Sequence, residues 1–319
     1  MENMYDVSIV VSCYNSIWTD LKRTVKSYIR QRNVKIQIIV ADDGSKIKYE
    51  NELIELFRIE KFCDYKLVMN ESNAGTVRNF LTGLNVCDGR YVKPISPGDY
   101  AYDEMSVYKM FKYCIENKTD FVFGDAVYYS TNCGINILMS HTSPRKKDIY
   151  LRDKYSHDVV LKRLCLIGDN ISGAIVFGTK AIFVELMEEV SPYVKYCEDV
   201  AYGLLPLKNI RISYLPESII WYQYGTGIST KGRAASPMRK AIAEDMRMFW
   251  KNVSLQYKLP NYIRRVNLYY DIRVRKNNIF TKLLKVMVCP ERFFLRGKDK
   301  YIPKYEIEKL QETIAFAED

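Results

Sequence analysis

Two histidines are all that 319 residues contain, His141 and His157, and both stand outside every motif considered below. A Ser-His-Asp or Cys-His nucleophile is therefore unsupported, and both rings are expected to be surface or packing residues. The eight cysteines are scattered and form no C-x-x-C pair, which argues against a disulfide framework and a structural zinc site. No apolar run approaches the ~20 residues that a bilayer-spanning helix needs. The acidic start, Met1-Glu2-Asn3-Met4-Tyr5-Asp6, has neither the basic residues nor the long apolar stretch of a secretory signal. A cytoplasmic protein with reduced thiols is the expectation. Internal repeats, low-complexity segments, zinc fingers and RNP sequences are also missing, so nucleic-acid binding has no motif behind it.

What is present is an ordinary globular composition with one asymmetry. Hydrophobic residues make up 48% and charged residues 27%, which excludes wholesale disorder. The net charge is +10, yet residues 231–304 alone hold 19 basic and 5 acidic side chains, leaving about −4 for the rest. Charge of this kind suits an anionic surface or an acidic partner. Within it, Ile279, Phe280, Leu283, Leu284 and Met287 recur at helical spacing among Lys282 and Lys285. Two readings follow: peripheral contact with the inner face of a membrane, or packing of this apolar face on the domain or on another copy.

Val7–Ser12 is a short valine-rich run of the type that forms a buried parallel strand. The following segment, about 18–31, is amphipathic and has Asn15 or Ser16 to cap it. Lys35–Ala41, Leu67–Met69 and Tyr91–Ile95 read as further strands, with a helix to Val86 between the last two. Later strands are expected at Phe121–Phe123, Ala174–Phe177, Arg211–Tyr214 and Ile219–Tyr224, and a helix at Lys180–Glu189. Strands alternating with helices predict a mostly parallel sheet covered by helices. Ligands of such sheets lie beyond the carboxyl ends of the strands. Tyr14-Asn15, Asp42-Asp43, Asn73 and Asp99 all follow strands there.

The runs VSIVVSCYN, VADDGS, NESNAGTVRN, PISPGDY and YCEDVAYG occur in the order and spacing of family 2 glycosyltransferases, and with FGDAV and SGAIVFG the chain resembles that family over about residues 5–230. The resemblance implies an α/β GT-A fold, Rossmann-like, with a C-terminal helical extension. It implies a nucleotide-sugar-binding half at 1–105, an acceptor-binding half at 106–230, and a basic, mainly helical region at 231–319. It also implies an inverting transfer of one sugar, with a UDP-hexose the expected donor. The acceptor would be a glycan or lipid-linked glycan of a bacterial surface polysaccharide or glycoprotein. Tyr14 would lie against the base and Asp43, beside Asp42, would accept the ring N–H of uracil or thymine. Arg78, on the helix after Asn73, would reach the phosphates or order the aspartates.

The resemblance is incomplete at PISPGDY. Family members commonly carry D-x-D or D-x-D-D there, whose final carboxylate binds Mg²⁺ or Mn²⁺ bridging the diphosphate. Ser96, Pro97 and Gly98 replace the earlier positions, and Asp99 remains as the expected metal ligand. A hard divalent ion can be held by one carboxylate with phosphate oxygens and water. The second carboxylate, which often holds the ribose, is gone. Glu198-Asp199 matches the family's acceptor-side pair, with Asp199 the expected general base and Glu198 the alternative. The same two residues also suit an acidic start to a short helix at 200–205 ended by Pro206. Residues 221–231 resemble a closing loop in which Lys231 and Arg233 would screen the departing diphosphate. A sugar nucleotidyltransferase would need a G-x-G-T-R-like loop where Ser12-Cys13-Tyr14-Asn15 stands. A non-catalytic partner subunit would suit the reduced metal motif, but the retained Asp99 and Asp199 speak against it.

Overall fold

A computed structural model describes residues 4–225, 237–275, 278–297 and 306–318. The chain opens with β1 (Tyr5–Cys13), α1 (Trp18–Ile29), β2 (Ile36–Asp42), α2 (Glu50–Ile59), β3 (Tyr65–Met69), α3 (Thr76–Asn85) and β4 (Gly89–Ile95). These four strands are parallel neighbours in the order β3-β2-β1-β4. β1 and β2 are covered on both faces, which is why they read as near-continuous apolar runs.

The second half is antiparallel in places and less regular. It comprises β5 (Tyr100–Ala101), α4 (Ser106–Asn117), β6 (Phe121–Asn132), β7 (Ile135–Met139), α5 (His157–Lys162), β8 (Val176–Thr179), α6 (Lys180–Val190), α7 (Leu204–Leu207) and β9 (Ser213–Gln223). The full sheet runs β3-β2-β1-β4-β8-β6-β9-β5, with β7 as a hairpin on β6. Four expectations need correction here. α1 has Ile17 at its N-cap and no side-chain capping bond, in place of the expected Asn15 or Ser16. The segments expected at Arg211–Tyr214 and Ile219–Tyr224 are one strand, β9, whose pairing with β6 slips register near Asp125. The strand at Ala174–Phe177 starts later, behind a 3₁₀ turn at Gly173–Ile175. Glu198–Gly203 is a 3₁₀ turn rather than a helix start, and Pro206 sits inside α7 instead of ending a helix.

The sheet must curl. β4 and β5 are four strand gaps apart in the order above, about 19 Å in a flat sheet. The five steps from Ile95 to Tyr100 reach at most ~18 Å when fully extended, and here they include a turn in which Asp99 N–H donates to the Ser96 carbonyl at 3.1 Å. Curling brings β5 round to pair with β9 through Tyr100 and Trp221, and the strand ends wrap a cleft.

α3 and α6 pack together and on β4 or its neighbours, while α1 lies on β1, β2 and β5. The C-terminal extension is α8 (Pro237–Gln256), α9 (Ile263–Arg273), α10 (Ile279–Val288), α11 (Glu291–Phe294) and α12 (Glu306–Glu318). Phe249, Trp250 and Val253 of α8 and Val266 and Tyr270 of α9 join the main core. Leu310 of α12 completes a second cluster with Tyr100, Val127, Tyr129 and Trp221. Among the described residues no helix is long and apolar enough to cross a membrane.

Candidate active site

The loops after β1, β2 and β3 are laced together by short polar side chains. Asn15, held at a left-handed φ of 47°, donates its N–H to Ser45 Oγ at 2.7 Å and accepts from Lys46 N–H at 3.0 Å. Asp42 accepts from Ser45 N–H at 2.7 Å, the local bond expected of an Asp-Asp-Gly-Ser turn. Asp43 is only 3% exposed, because its two oxygens accept the N–H groups of Ala74 and Gly75 at 2.8 and 2.9 Å. In this conformation Asp43 clamps the third loop to the second, and a base could reach its remaining lone pairs only by shifting residues 72–75. Gly75 (φ 94°) allows that clamp, since a Cβ there would sit 2.4 Å from Lys195 Cγ. Tyr14 is half exposed, Asn73 is partly buried in the clamped loop, and Arg78 is exposed on α3. Lys231 and Arg233 lie outside the described residues.

The turn Ser96–Asp99 is held from three sides. The Thr24 hydroxyl donates to the Asp99 carbonyl and accepts from Gly98 N–H, both at 3.0 Å. Tyr129 Oη donates to the Gly98 carbonyl at 2.9 Å. The Gln223 N–H donates to the Asp99 carboxylate at 2.9 Å. Gly98 sits at φ 97°, a conformation that side chains rarely adopt, and its missing Cβ leaves room for the end of the Gln223 side chain. Burial raises the Asp99 carboxyl to about 7 despite that bond and the nearby Lys93. Lys93, buried within β4, is lowered by burial to about 7. Its amine donates to the Pro94 and Ala174 carbonyls, fastening the Gly173–Ile175 turn to the parallel half of the sheet. A lysine inside the apolar run YVKPI was the signal for this residue, and sequence reasoning passed over it.

Glu198 and Asp199 face this turn across a cavity of about 180 Å³, lined also by Thr76, Ser96, Tyr196, Tyr222 and Gln223. Both carboxyls are pushed above their ordinary values by loss of water, and Glu198 further by the Asp199 charge. The Tyr222 hydroxyl is held protonated by burial and then by Asp99 and the other acidic groups around it. The structure thus gathers Asp99, Glu198 and Asp199 at one cavity and leaves Tyr14, Asp42, Asp43, Asn73 and Arg78 off its wall. A larger hollow of about 270 Å³ between α1, the β5 loop and α12 is mostly apolar. The smaller cavity is the better candidate, because perturbed carboxyls converge on it.

Asp245 of α8 positions the acidic pair. Buried, it accepts from Tyr196 N–H at 2.6 Å and Cys197 N–H at 3.1 Å, directly before Glu198. No local spacing announces a contact between residues 196 and 245. Both histidines are packing residues: His141 lies edge-on to Tyr128 and His157 to Tyr155. Among the described residues no three His, Cys, Asp or Glu side chains are grouped to hold a metal.

Asp245→Ala removes the acceptor for two backbone N–H groups and frees the Glu198-Asp199 turn. Turnover in the transfer assay is expected to fall about 100-fold, as for a misplaced reacting group, with donor KM within a few-fold and Asp245→Asn largely restoring it. Full turnover by Asp245→Ala would show that the turn needs no such anchor.

The family model described as Glycosyl transferase family 2 matches residues 8–177. An uncharacterized glycosyltransferase of Haemophilus influenzae is 30% identical over 101 residues, spanning 32% of this chain and 30% of that protein. Among solved structures, S. aureus TarS 1–349 in complex with UDP-GlcNAc is similar at a TM-score of 0.56 and 18% identity, covering 90% of this chain and 78% of that one. The longer S. aureus TarS chain gives a TM-score of 0.55 at 16% identity, covering 98% of this chain and 52% of its own. These likenesses agree with the curled sheet and flanking helices described above. With more than half of its length matched by the family model, the chain belongs to glycosyl transferase family 2.

Proposed function

We propose that the protein transfers one sugar from a UDP-hexose donor to a glycan hydroxyl with inversion, with Asp199 as the general base. The observation that carries this reading is the convergence of Asp99, Glu198 and Asp199 on one cavity at the carboxyl ends of the strands. The TarS structures holding UDP-GlcNAc and UDP support a uridine diphosphate sugar as the donor class to assay first. Surface polysaccharide or glycoprotein glycan synthesis, on the cytoplasmic side, is the setting that fits a lipid-linked or protein-linked acceptor.

The two acidic neighbours divide by side. Glu198 also lines a small hollow with Ser12, Ser96 and Gly173, on the donor half. Asp199 also lines one with Leu164, Asn170 and Trp250, away from it. Asp199 therefore suits the acceptor hydroxyl, a poor nucleophile until a carboxylate takes its proton as the new bond forms. The acceptor oxygen attacks the anomeric carbon opposite the nucleotide, the bond to the diphosphate breaks, and the proton ends on Asp199. Lys231 and Arg233 are proposed to face the departing charge. Asp99 fits a divalent cation as a single protein ligand: it lines the cavity, and its carboxyl is buried with no ion pair among the described residues. Bound there with diphosphate oxygens and water, Mn²⁺ or Mg²⁺ would neutralise leaving-group charge.

Asp199→Asn keeps the shape and removes the base, so kcat should drop by about 10²–10⁴ with donor binding nearly unchanged. Near wild-type kcat would remove Asp199 from this role, and a product retaining the donor's anomeric configuration would overturn the single displacement. Because burial raises both carboxyls, the ionised base is populated only at higher pH. Activity should therefore rise with pH through an inflection well above 3.8, the ordinary aspartate value, and a kcat/KM profile flat down to pH 4.5 would contradict this. EDTA should abolish turnover and Mn²⁺ or Mg²⁺ restore it, whereas EDTA-insensitive transfer would take the ion away from Asp99.

A further inference from the structure

α10 is amphipathic the wrong way round for a helix on a protein surface. At 100° per residue, Ile279, Phe280, Leu283 and Met287 fall at about 0°, 100°, 40° and 80°, one stripe. All four are 59–78% exposed, and the exposed apolar surface continues through Phe293, Phe294 and Leu295 of the next turn. The side that meets α9 carries the buried Thr281 and Cys289 instead. Water therefore meets the apolar side, an arrangement that soluble surfaces avoid unless something covers it.

This surface is not a frayed end. The α10 start has a capping box between Asn278 and Thr281. Arg265 donates to the Val288 carbonyl at 2.8 Å and pairs with Glu291 at 2.7 Å. The Arg292 guanidinium is stacked over Tyr269 and Tyr270, 4.4 and 4.9 Å from their ring centres, and donates to the Cys165 carbonyl. Arg163, itself paired with buried Asp169, donates to the Leu295 and Arg296 carbonyls. Contacts of three arginines, Arg163, Arg265 and Arg292, thus bolt the apolar stripe outward on α9 and the 163–169 segment, whose Leu164 lines the small hollow beside Asp199.

We propose that the outward face of α10 and α11 docks the protein on a lipid surface bearing anionic headgroups. Charge selects this occupant. Exposed Arg273, Arg275, Lys282 and Arg296 flank the stripe, and the charges of Arg273 and Lys282 bear on Lys285 after burial in lowering its amine. Two acidic residues of the adjoining helices are spent on arginines, Glu291 on Arg265 and Asp271 on Arg247. Large apolar side chains with cations along their edges make the pattern of a helix lying in a headgroup layer. The docking does not rest on the transfer reaction, and its test does not use it.

Flotation of the full chain with vesicles of phosphatidylcholine, alone or mixed with phosphatidylglycerol, decides the matter. Binding is expected only to the mixed vesicles and should weaken as salt rises. Leu283→Glu with Met287→Glu should reduce the bound fraction on the order of 10-fold or more, with an unchanged melting temperature and gel-filtration volume. Charge reversal at Lys282 and Arg296 should abolish the preference for the anionic vesicles. Equal flotation of the Leu283/Met287 variant, absence of binding to either vesicle, or a lipid-independent oligomer that the same variant dissolves would each overturn the proposal.

Discussion

The hydrogen bond from Gln223 N–H to the Asp99 carboxylate is the joint on which the cleft depends. Asp99 follows β4 of the parallel half, and Gln223 ends β9 on the far side of the curl. The bond therefore closes the sheet on itself at the level of the cavity. Thr24 and Tyr129 fix the backbone of the same turn, and Gly98 lets the Gln223 side chain lie against it. Removing one partner would leave a buried carboxylate or a buried N–H unsatisfied, which costs about 1–3 kcal/mol. That is a sizeable share of a typical folding free energy of roughly 5–15 kcal/mol.

The cavity concentrates acid with little basic compensation. Lys93 is buried nearby but spends its protons on two backbone carbonyls, and no arginine or lysine ion-pairs with Asp99, Glu198 or Asp199 among the described pairs. Carboxyls in such a place resist ionisation, and the fold bears that cost where charge must later appear or move. Asp245 of α8 holds the backbone just before Glu198, and Lys93 of β4 holds the Gly173–Ile175 turn. The site is thus tied down along its backbone while burial disfavours charge on its carboxyls.

Much of the parallel half was legible in the sequence. Val7–Val11 and Ile36–Ala41 are buried on both faces, so they read as apolar runs, and their turn residues mark where they stop. Asp43 was expected to meet the base, and its engagement by Ala74 and Gly75 was not legible, because a carboxylate offers the same oxygens to a backbone N–H as to a base. β9 was split in two because Pro216 and Glu217 interrupt its apolar pattern at the register slip. Asp245 stayed hidden because its partners are 48 and 49 residues away. Helical spacing identified the apolar face of α10, yet spacing is silent on which way a face turns; only the arginine anchors from Arg163 and Arg265 decide that.

The second core cluster has a bearing on how the protein comes into being. Leu310 of α12 covers Trp221 and Tyr129, the same Tyr129 whose hydroxyl steadies Gly98. A nascent chain that has left the ribosome only as far as β9 has every strand of the sheet but lacks the lid of this cluster. Synthesis runs at roughly 5–20 residues per second, so some seconds pass before residue 310 arrives. During that interval the floor beneath the acidic turn is open on one side, and the growing chain must be sheltered there or wait unfinished until its own later helix seals it.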